Sequence, residues 1–206
     1  MLKLHGHELS GNSYKPRLLL HLLDVPYTWV RVDLMAGEHR SPAYRALNPF
    51  GQVPLLEDDS DGTTVRLADA QAILVYLARR HGGEAWLPLE PLPLAQVIRW
   101  LSITAGEVRQ GPEQARLHQL FRVSAINLER AHERAAFLLG QLDQHLSQRT
   151  WLEFERPTIA DVAVFPYVAL APDGGIDLSP YPQVLAWCER VRQLPGYVPM
   201  QGDTTP

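Results

Sequence analysis

The stretch Asn48-Pro49-Phe50-Gly51-Gln52-Val53-Pro54-Leu55-Leu56 constrains this chain more than any other. Residues 53–56 form an apolar run of a length that suits one buried strand. A proline inside such a run has no N–H for a ladder, so Pro54 belongs at a sheet edge, a strand start or a tight turn. Proline is also the residue before which a cis peptide costs least, and it pushes Val53 into an extended conformation. An extended Val53 with its N–H and C=O unpaired can grip another extended peptide by backbone hydrogen bonds. The alternative is an ordinary turn from loop into strand.

The rest of the chain falls into two halves around this feature. Residues 2–7 alternate, with Leu2, Leu4 and Gly6 on one face and Lys3, His5 and His7 on the other, as in a strand. Residues 8–13 are a turn rich in hydroxyl, amide and glycine. Residues 18–23 read as a buried helix that ends before Pro26. Pro16 is tolerated only in a first helical turn, which places the N-cap of that helix at Ser13 or later. Residues 27–32 are β-branched and aromatic and form a second strand. Residues 35–40 are a loop, and Pro42–Leu47 a short helix with its proline in the first turn. The proline-bearing strand comes next, then a turn at 58–62 and a fourth strand at 65–67. A helix over 69–78 has Asp69 at its start, where a carboxylate favours the dipole. The order is β-α-β-α-β-β-α.

Glycines 82 and 83 and prolines 88, 91 and 93 then mark a linker. Beyond it the pattern is helical: over 94–108, over 127–146 with a strong apolar stripe, after a capping box at Thr158 and Asp161, and over 182–194. The expected division is 1–81, a linker at 82–93, and 94–206: a small α/β domain followed by an all-α domain.

Composition narrows the function classes. With 46% hydrophobic and 20% charged residues, the 206-residue chain is globular rather than disordered. A net charge of −4 and the lack of any basic block argue against nucleic acid as a partner. Residues 1–7 lead into no apolar signal region, and no stretch approaches a membrane span. One cysteine excludes an internal disulfide, and Cys188, among Val184, Leu185 and Trp187, reads as a small core residue. These features point to a cytoplasmic protein with no membrane partner.

The common nucleotide-binding, zinc-protease and hydrolase motifs are absent. His5 and His7 share a strand face, but without an evident acidic partner they read as exposed strand histidines, and no metal is expected. Three features remain: the hydroxyl-bearing turn with Ser10, Asn12 and Ser13, the Val53-Pro54 pair, and Asp69 opening a helix. In this topology all three can converge on one edge.

Here the sequence resembles the glutathione transferase superfamily. The likeness rests on residues 47–54 (Leu-Asn-Pro-Phe-Gly-Gln-Val-Pro), on 67–73 (Leu-Ala-Asp-Ala-Gln-Ala-Ile) and on 157–163 (Pro-Thr-Ile-Ala-Asp-Val-Ala), in that order, and it spans nearly the whole chain. The turn at 9–15 is most similar to the bacterial, theta-like and nu-like branches that use serine or threonine with a nearby asparagine. The resemblance implies a thioredoxin-like N-terminal domain with Pro54 in cis, a helical C-terminal domain, a homodimer and a role in detoxification. It implies glutathione as co-substrate and a small electrophile, disulfide or peroxide as partner substrate. Val53 would pair its backbone with the cysteinyl part of glutathione, while Gln52 and His39 would contact the glycyl end. Asp69 would meet the γ-glutamyl amine, and the helix-start N–H groups, Ala70 among them, its carboxylate. Ser10 would donate to the sulfur, with Asn12 as second donor or alternate. The acceptor pocket would be lined by Trp100, Thr104, Val108 and Arg109.

The chemistry requires a thiolate. A free thiol has a pKa of about 8.5, and a hydrogen bond to a charged partner contributes about 1.5–3 kcal/mol. One good donor therefore lowers the thiol pKa by roughly one to two units, and no general base is needed. Two departures from the family pattern stand out. Ala70 replaces a usual serine, with an expected loss of ~1–2 kcal/mol in glutathione binding. Pro16 replaces a branched aliphatic and is expected to shift the Ser10 turn. These departures support a competing reading, a non-catalytic binding or scaffold relative; a metal-dependent hydrolase ranks third.

Overall fold

In the computed structural model, which describes residues 1–200, β1 (Leu2–Gly6), β2 (Tyr27–Arg31), β3 (Leu55–Asp58) and β4 (Val65–Ala68) form one mixed sheet. The spatial order is β2-β1-β3-β4. β1 runs parallel to β2 with Leu2 opposite Tyr27, and antiparallel to β3 with Leu4 opposite Leu56. A parallel neighbour requires a crossover, and α1 (Gly11–Leu22) supplies it. β3 and β4 form the expected hairpin.

The apolar face of the sheet is covered by α1 and α3 (Ala70–Leu77), whose Leu18, Leu19, Ile73, Leu74 and Leu77 are fully buried with Leu4 and Leu56. At about 1.5–3 kcal/mol for each fully buried aliphatic side chain, this layer dominates the domain's stability. On the other face α2 (Pro42–Leu47) brings Tyr44 against Val32 and Leu55.

Three expectations are corrected here. First, β3 begins at Leu55, so the Val53-Pro54 peptide, which is cis, precedes the strand instead of interrupting it. Second, α1 begins at Gly11 with Ser10 as N-cap, not at Ser13 or later. Pro16 is thus interior and leaves the Asn12 carbonyl without its helical donor; burial of Tyr14, Pro16 and Leu18 to Leu20 offsets the loss. Third, His5 and His7 are buried, and each has an acidic neighbour. His5 Nε2 lies 2.8 Å from Glu57 and His7 Nε2 3.9 Å from Glu8. Sheet pairing brings Glu57 next to His5, which residue spacing alone could not show.

The second half is helical. α4 (Gly83–Trp86) is a short turn, and α5 (Pro91–Ile103) starts inside the stretch expected to be linker. π-helical turns over Thr104–Glu113 join α5 to α6 (Gln114–Phe121), with αR backbone at both junctions. Pro112 sits within the π-helical segment, where its missing N–H suits the widened ladder. α7 (Leu128–Leu146), capped by Asn127, buries Ala131, Ala135, Leu138, Leu139, Leu142 and Leu146 as its stripe predicts. α8 (Ile159–Ala169) is buried from Ile159 to Val168 and carries the capping box. α9 (Pro182–Arg192) buries Trp187 and Cys188. Asp161 accepts from the N–H groups of Thr158 and Leu152 and from the Trp187 indole at 2.9–3.0 Å. Burial nevertheless pushes its pKa up to about 6. No helix among the described residues is long and apolar enough to cross a membrane.

Candidate functional site

The turn leaving β1 is built around a buried histidine. The His7 carbonyl accepts from Ser10 N–H at 3.0 Å and its Nδ1 from Leu9 N–H at 3.1 Å. Ser10 Oγ accepts from Ser13 N–H at 3.1 Å, capping α1. That bond uses a lone pair and leaves the hydroxyl hydrogen available to the adjoining cleft. Gly11 follows because a Cβ there would stand 2.7 Å from the Tyr167 ring.

The loop before β3 is pinned from two sides. Asn48 Nδ2 donates to the Gln52 carbonyl at 2.8 Å and its Oδ1 accepts from Phe50 N–H at 3.2 Å. The Tyr44 hydroxyl donates to the same Gln52 carbonyl at 2.9 Å. Gly51 has φ +58°, and a Cβ would lie 2.8 Å from the His39 carbonyl oxygen, so only glycine fits. This bracing presents Val53 to the cleft.

At the third corner Asp69 is the N-cap of α3 and adopts φ +76° with ψ 127°, a positive-φ conformation outside the αL basin that is strained for any residue but glycine. Its Oδ1 accepts from the N–H groups of Gln71 and Ala72 at 2.9 and 3.0 Å.

These corners meet in one trough. A cleft of ≈ 700 Å³ is lined by Ser10, Asn12, His39, Gln52 and Val53, with Leu9, Leu34, Met35, Phe50, Leu117, Phe121 and Val123 on its apolar side. A smaller hollow of ≈ 80 Å³ adjoins it, lined by Asn12, Gln52, Val53, Pro54, Asp69, Ala70 and Thr104. Arg109 and Glu113 line both. Ser10 and the six residues expected at the tripeptide site therefore line two hollows that share Asn12, Gln52 and Val53. His39 Nδ1 is buried there without a hydrogen-bond partner, and burial, then Arg40 and Arg45, lower its pKa.

The expected acceptor wall is only half present. Thr104 and Arg109 line the site, but Val108 is fully buried in the core. Trp100 is buried with its indole donating to Glu153 at 2.8 Å, and it borders a different hollow with Phe137 and His145. Of this helical stripe, Val108 faces the core, Trp100 turns to the other hollow and only Thr104 reaches the site. Phe50, on the rim of the larger cleft, is 83% exposed.

Four residues that sequence reading missed stand behind the Ser10 turn. Lys15 is fully buried, and its Nζ donates to Asn12 Oδ1 at 2.7 Å. Asn12 Nδ2 donates to Glu113 Oε1 at 3.1 Å. Tyr167 hydrogen-bonds Glu113, and the Lys15 ammonium lies 5.1 Å from the Tyr167 ring centroid. Arg116 donates to the Leu9 carbonyl and to Asp173. Burial lowers the Lys15 pKa to about 8, against the pull of Glu113 and Asp69. Burial raises Glu113, against Lys15 and Arg109. The signal for Lys15 was its place three and four residues ahead of the buried Leu18 and Leu19, where a lysine requires a partner. Among the described residues no three His, Cys, Asp or Glu side chains gather as metal ligands.

Comparison with known proteins gives this geometry a family. The glutathione S-transferase N-terminal domain profile matches residues 9–80, and the C-terminal domain profile matches 99–195. The chain belongs to the glutathione S-transferase superfamily. It is 30% identical over 193 residues to the disulfide-bond oxidoreductase YfcG of Escherichia coli K12, covering 90% of this chain and 88% of that one. The crystal structure of a glutathione S-transferase from Pseudomonas fluorescens Pf-5 superposes with a TM-score of 0.86 at 37% identity, covering 97% of this chain and 98% of that one. A second family member from that strain, with two glutathione molecules bound, gives a TM-score of 0.84 at 26% identity, covering 95% of this chain and 89% of that one. The sheet with its covering helices is accordingly a thioredoxin-like domain, and the superfamily's helical domain follows it. The two profiles cover all three corners of the trough.

Proposed function

We propose that the protein binds glutathione, stabilises its thiolate and transfers it to an electrophile, as a serine–asparagine transferase of the theta-like or nu-like kind. The carrying observation is the Ser10 hydroxyl, whose acceptor side is occupied by capping and whose hydrogen is left for the cleft. In this reading residues 1–81 bind the tripeptide, 82–93 connect, and 94–206 supply the acceptor side. The cysteinyl backbone pairs with Val53. His39 and Gln52 take the glycyl end, with His39 Nδ1 as an unused polar atom there. Asp69 keeps one carboxylate oxygen for the γ-glutamyl amine, and the Ala70 N–H meets the γ-glutamyl carboxylate. Ser10 and Asn12 donate to the sulfur.

Ionisation releases the thiol proton to solvent. The sulfur lone pair then forms a bond to the electrophilic carbon, and the displaced electron pair leaves with the departing group or is protonated on the adduct. The apolar wall of Leu34, Met35, Phe50, Leu117 and Phe121 suits an apolar acceptor. Reduction of a disulfide or peroxide is a second outcome at the same thiolate, favoured by the likeness to a disulfide-bond oxidoreductase. The working protein is then a cytoplasmic homodimer with a role in detoxification. Calorimetry with glutathione, followed by turnover assays on electrophiles, disulfides and peroxides, tests this reading. Binding together with turnover in any one class supports it. Binding without turnover supports the scaffold reading instead.

A further inference from the structure

The orientation of the Asn12 amide is set by charge. Its two ends differ only in whether they accept or donate, and either could in principle face the cleft. Lys15 can only donate and the Glu113 carboxylate only accepts. The ammonium therefore takes Oδ1 at 2.7 Å and the carboxylate takes Nδ2 at 3.1 Å. Both charged groups are buried, and they come from different halves of the chain, Lys15 from α1 and Glu113 from the π-helical segment. The second hydrogen of the Asn12 NH₂ group remains, and Asn12 lines both parts of the trough.

We propose that Lys15, with Glu113 as its counter-charge, is a positioning residue that makes Asn12 a hydrogen-bond donor, and not an acceptor, toward a thiolate held at the Ser10 turn. The inference rests on the glutathione reading. Lys15 does not touch the sulfur; it acts through Asn12. An amide turned the other way would aim its carbonyl oxygen at a sulfur anion and destabilise the ionised form that Ser10 stabilises. The groups facing Lys15 are Glu113, Asp69 at the start of α3, and Tyr167 from α8; Arg109 in turn faces Glu113. Burial lowers the Lys15 pKa to about 8, so the ammonium predominates at neutral pH and the device is set there.

The test is the ionisation of bound glutathione, followed through the ultraviolet absorbance of the thiolate against pH. It compares wild type, Lys15→Met, Asn12→Ala and the double variant. Lys15→Met and Asn12→Ala are each expected to raise the pKa of the bound thiol by about one unit, a ten-fold fall in the thiolate-to-thiol ratio at any pH, from the loss of roughly one charge-assisted hydrogen bond. The double variant is expected to fall no further, because both changes remove one interaction. Additive losses, or a Lys15→Met variant that binds glutathione with unmoved ionisation, would overturn the proposal while leaving the transferase reading intact. Wild-type protein that takes up no glutathione overturns both. If Lys15→Met does not fold, Lys15→Gln, whose amide can accept as well as donate and so no longer fixes Asn12 Oδ1, carries the same expectation and the same overturning results.

Discussion

Arg116 Nη1, on the helical half, donates to the carbonyl of Leu9 at 2.7 Å, one residue ahead of Ser10. The guanidinium is 2% exposed and its Nε is held by Asp173 at 2.9 Å. The second half thus braces the turn that the first half presents. Arg116→Leu leaves the Leu9 carbonyl and the partly exposed Asp173 carboxylate without their donor, at an expected cost of about 1–3 kcal/mol. Denaturant unfolding measures the loss; a variant with wild-type stability would show that the brace carries no energy.

Ser10 has two roles that one substitution separates. Glycine is nearly as good an N-cap as serine, so Ser10→Gly is expected to cost only a few tenths of a kcal/mol in stability. It removes the proposed thiolate donor, so turnover at neutral pH is expected to fall ten-fold or more. Unchanged turnover in a folded Ser10→Gly variant would remove Ser10 from the chemistry.

Ala70 is buried and borders the smaller hollow beside Asp69. Ala70→Ser supplies a hydroxyl where the γ-glutamyl carboxylate is proposed to sit. Glutathione is expected to bind about ten-fold more tightly, near 1.4 kcal/mol, as read by calorimetry. Unaltered affinity would place that carboxylate elsewhere.

Acid stability has an identified source in Asp58, which is 2% exposed. Burial alone would raise its pKa, but bonds from the Ser60 hydroxyl and amide and from Tyr76, with Arg80, hold it at about 2. A folded-state value below the usual 3.8 means that the stabilisation is complete above that pH and is lost as pH falls through 2. The contribution is about 2 kcal/mol. Asp58→Asn is expected to flatten the stability profile across this window in urea titrations from pH 5 to 2; a slope equal to wild type would assign the acid sensitivity to other carboxylates.

Gly51→Ala places a Cβ 2.8 Å from the His39 carbonyl oxygen at a φ of +58°. Strain and overpacking are expected to cost about 2–4 kcal/mol. The loop can relieve them only by moving His39 or Val53, so glutathione affinity should fall with stability. Loss of stability alone would separate this loop from the ligand.

Much of the architecture was legible in order along the chain. Strand alternation, the apolar stripe of α7, the capping box at Thr158 and Asp161, and the proline after Val53 are local patterns. Their periods and turn chemistry belong to neighbouring residues, so residues close in sequence suffice to read them. The three corners of the trough were legible for the same reason, each being a short motif with its own backbone requirement. Pro16 misled because a proline's cost is local while its compensation, burial of the whole α1 face, is tertiary. Trp100 and Val108 misled because a helical stripe shows that a face is buried without showing which neighbour buries it. Lys15, Glu113, Tyr167 and Arg116 come from three distant segments of the chain. What the sequence alone determined is the order of elements and the motifs that bound the cleft. Only the packing of the two halves decided which way the Asn12 amide points, because opposite charges far apart along the chain become partners only where folding removes water from both.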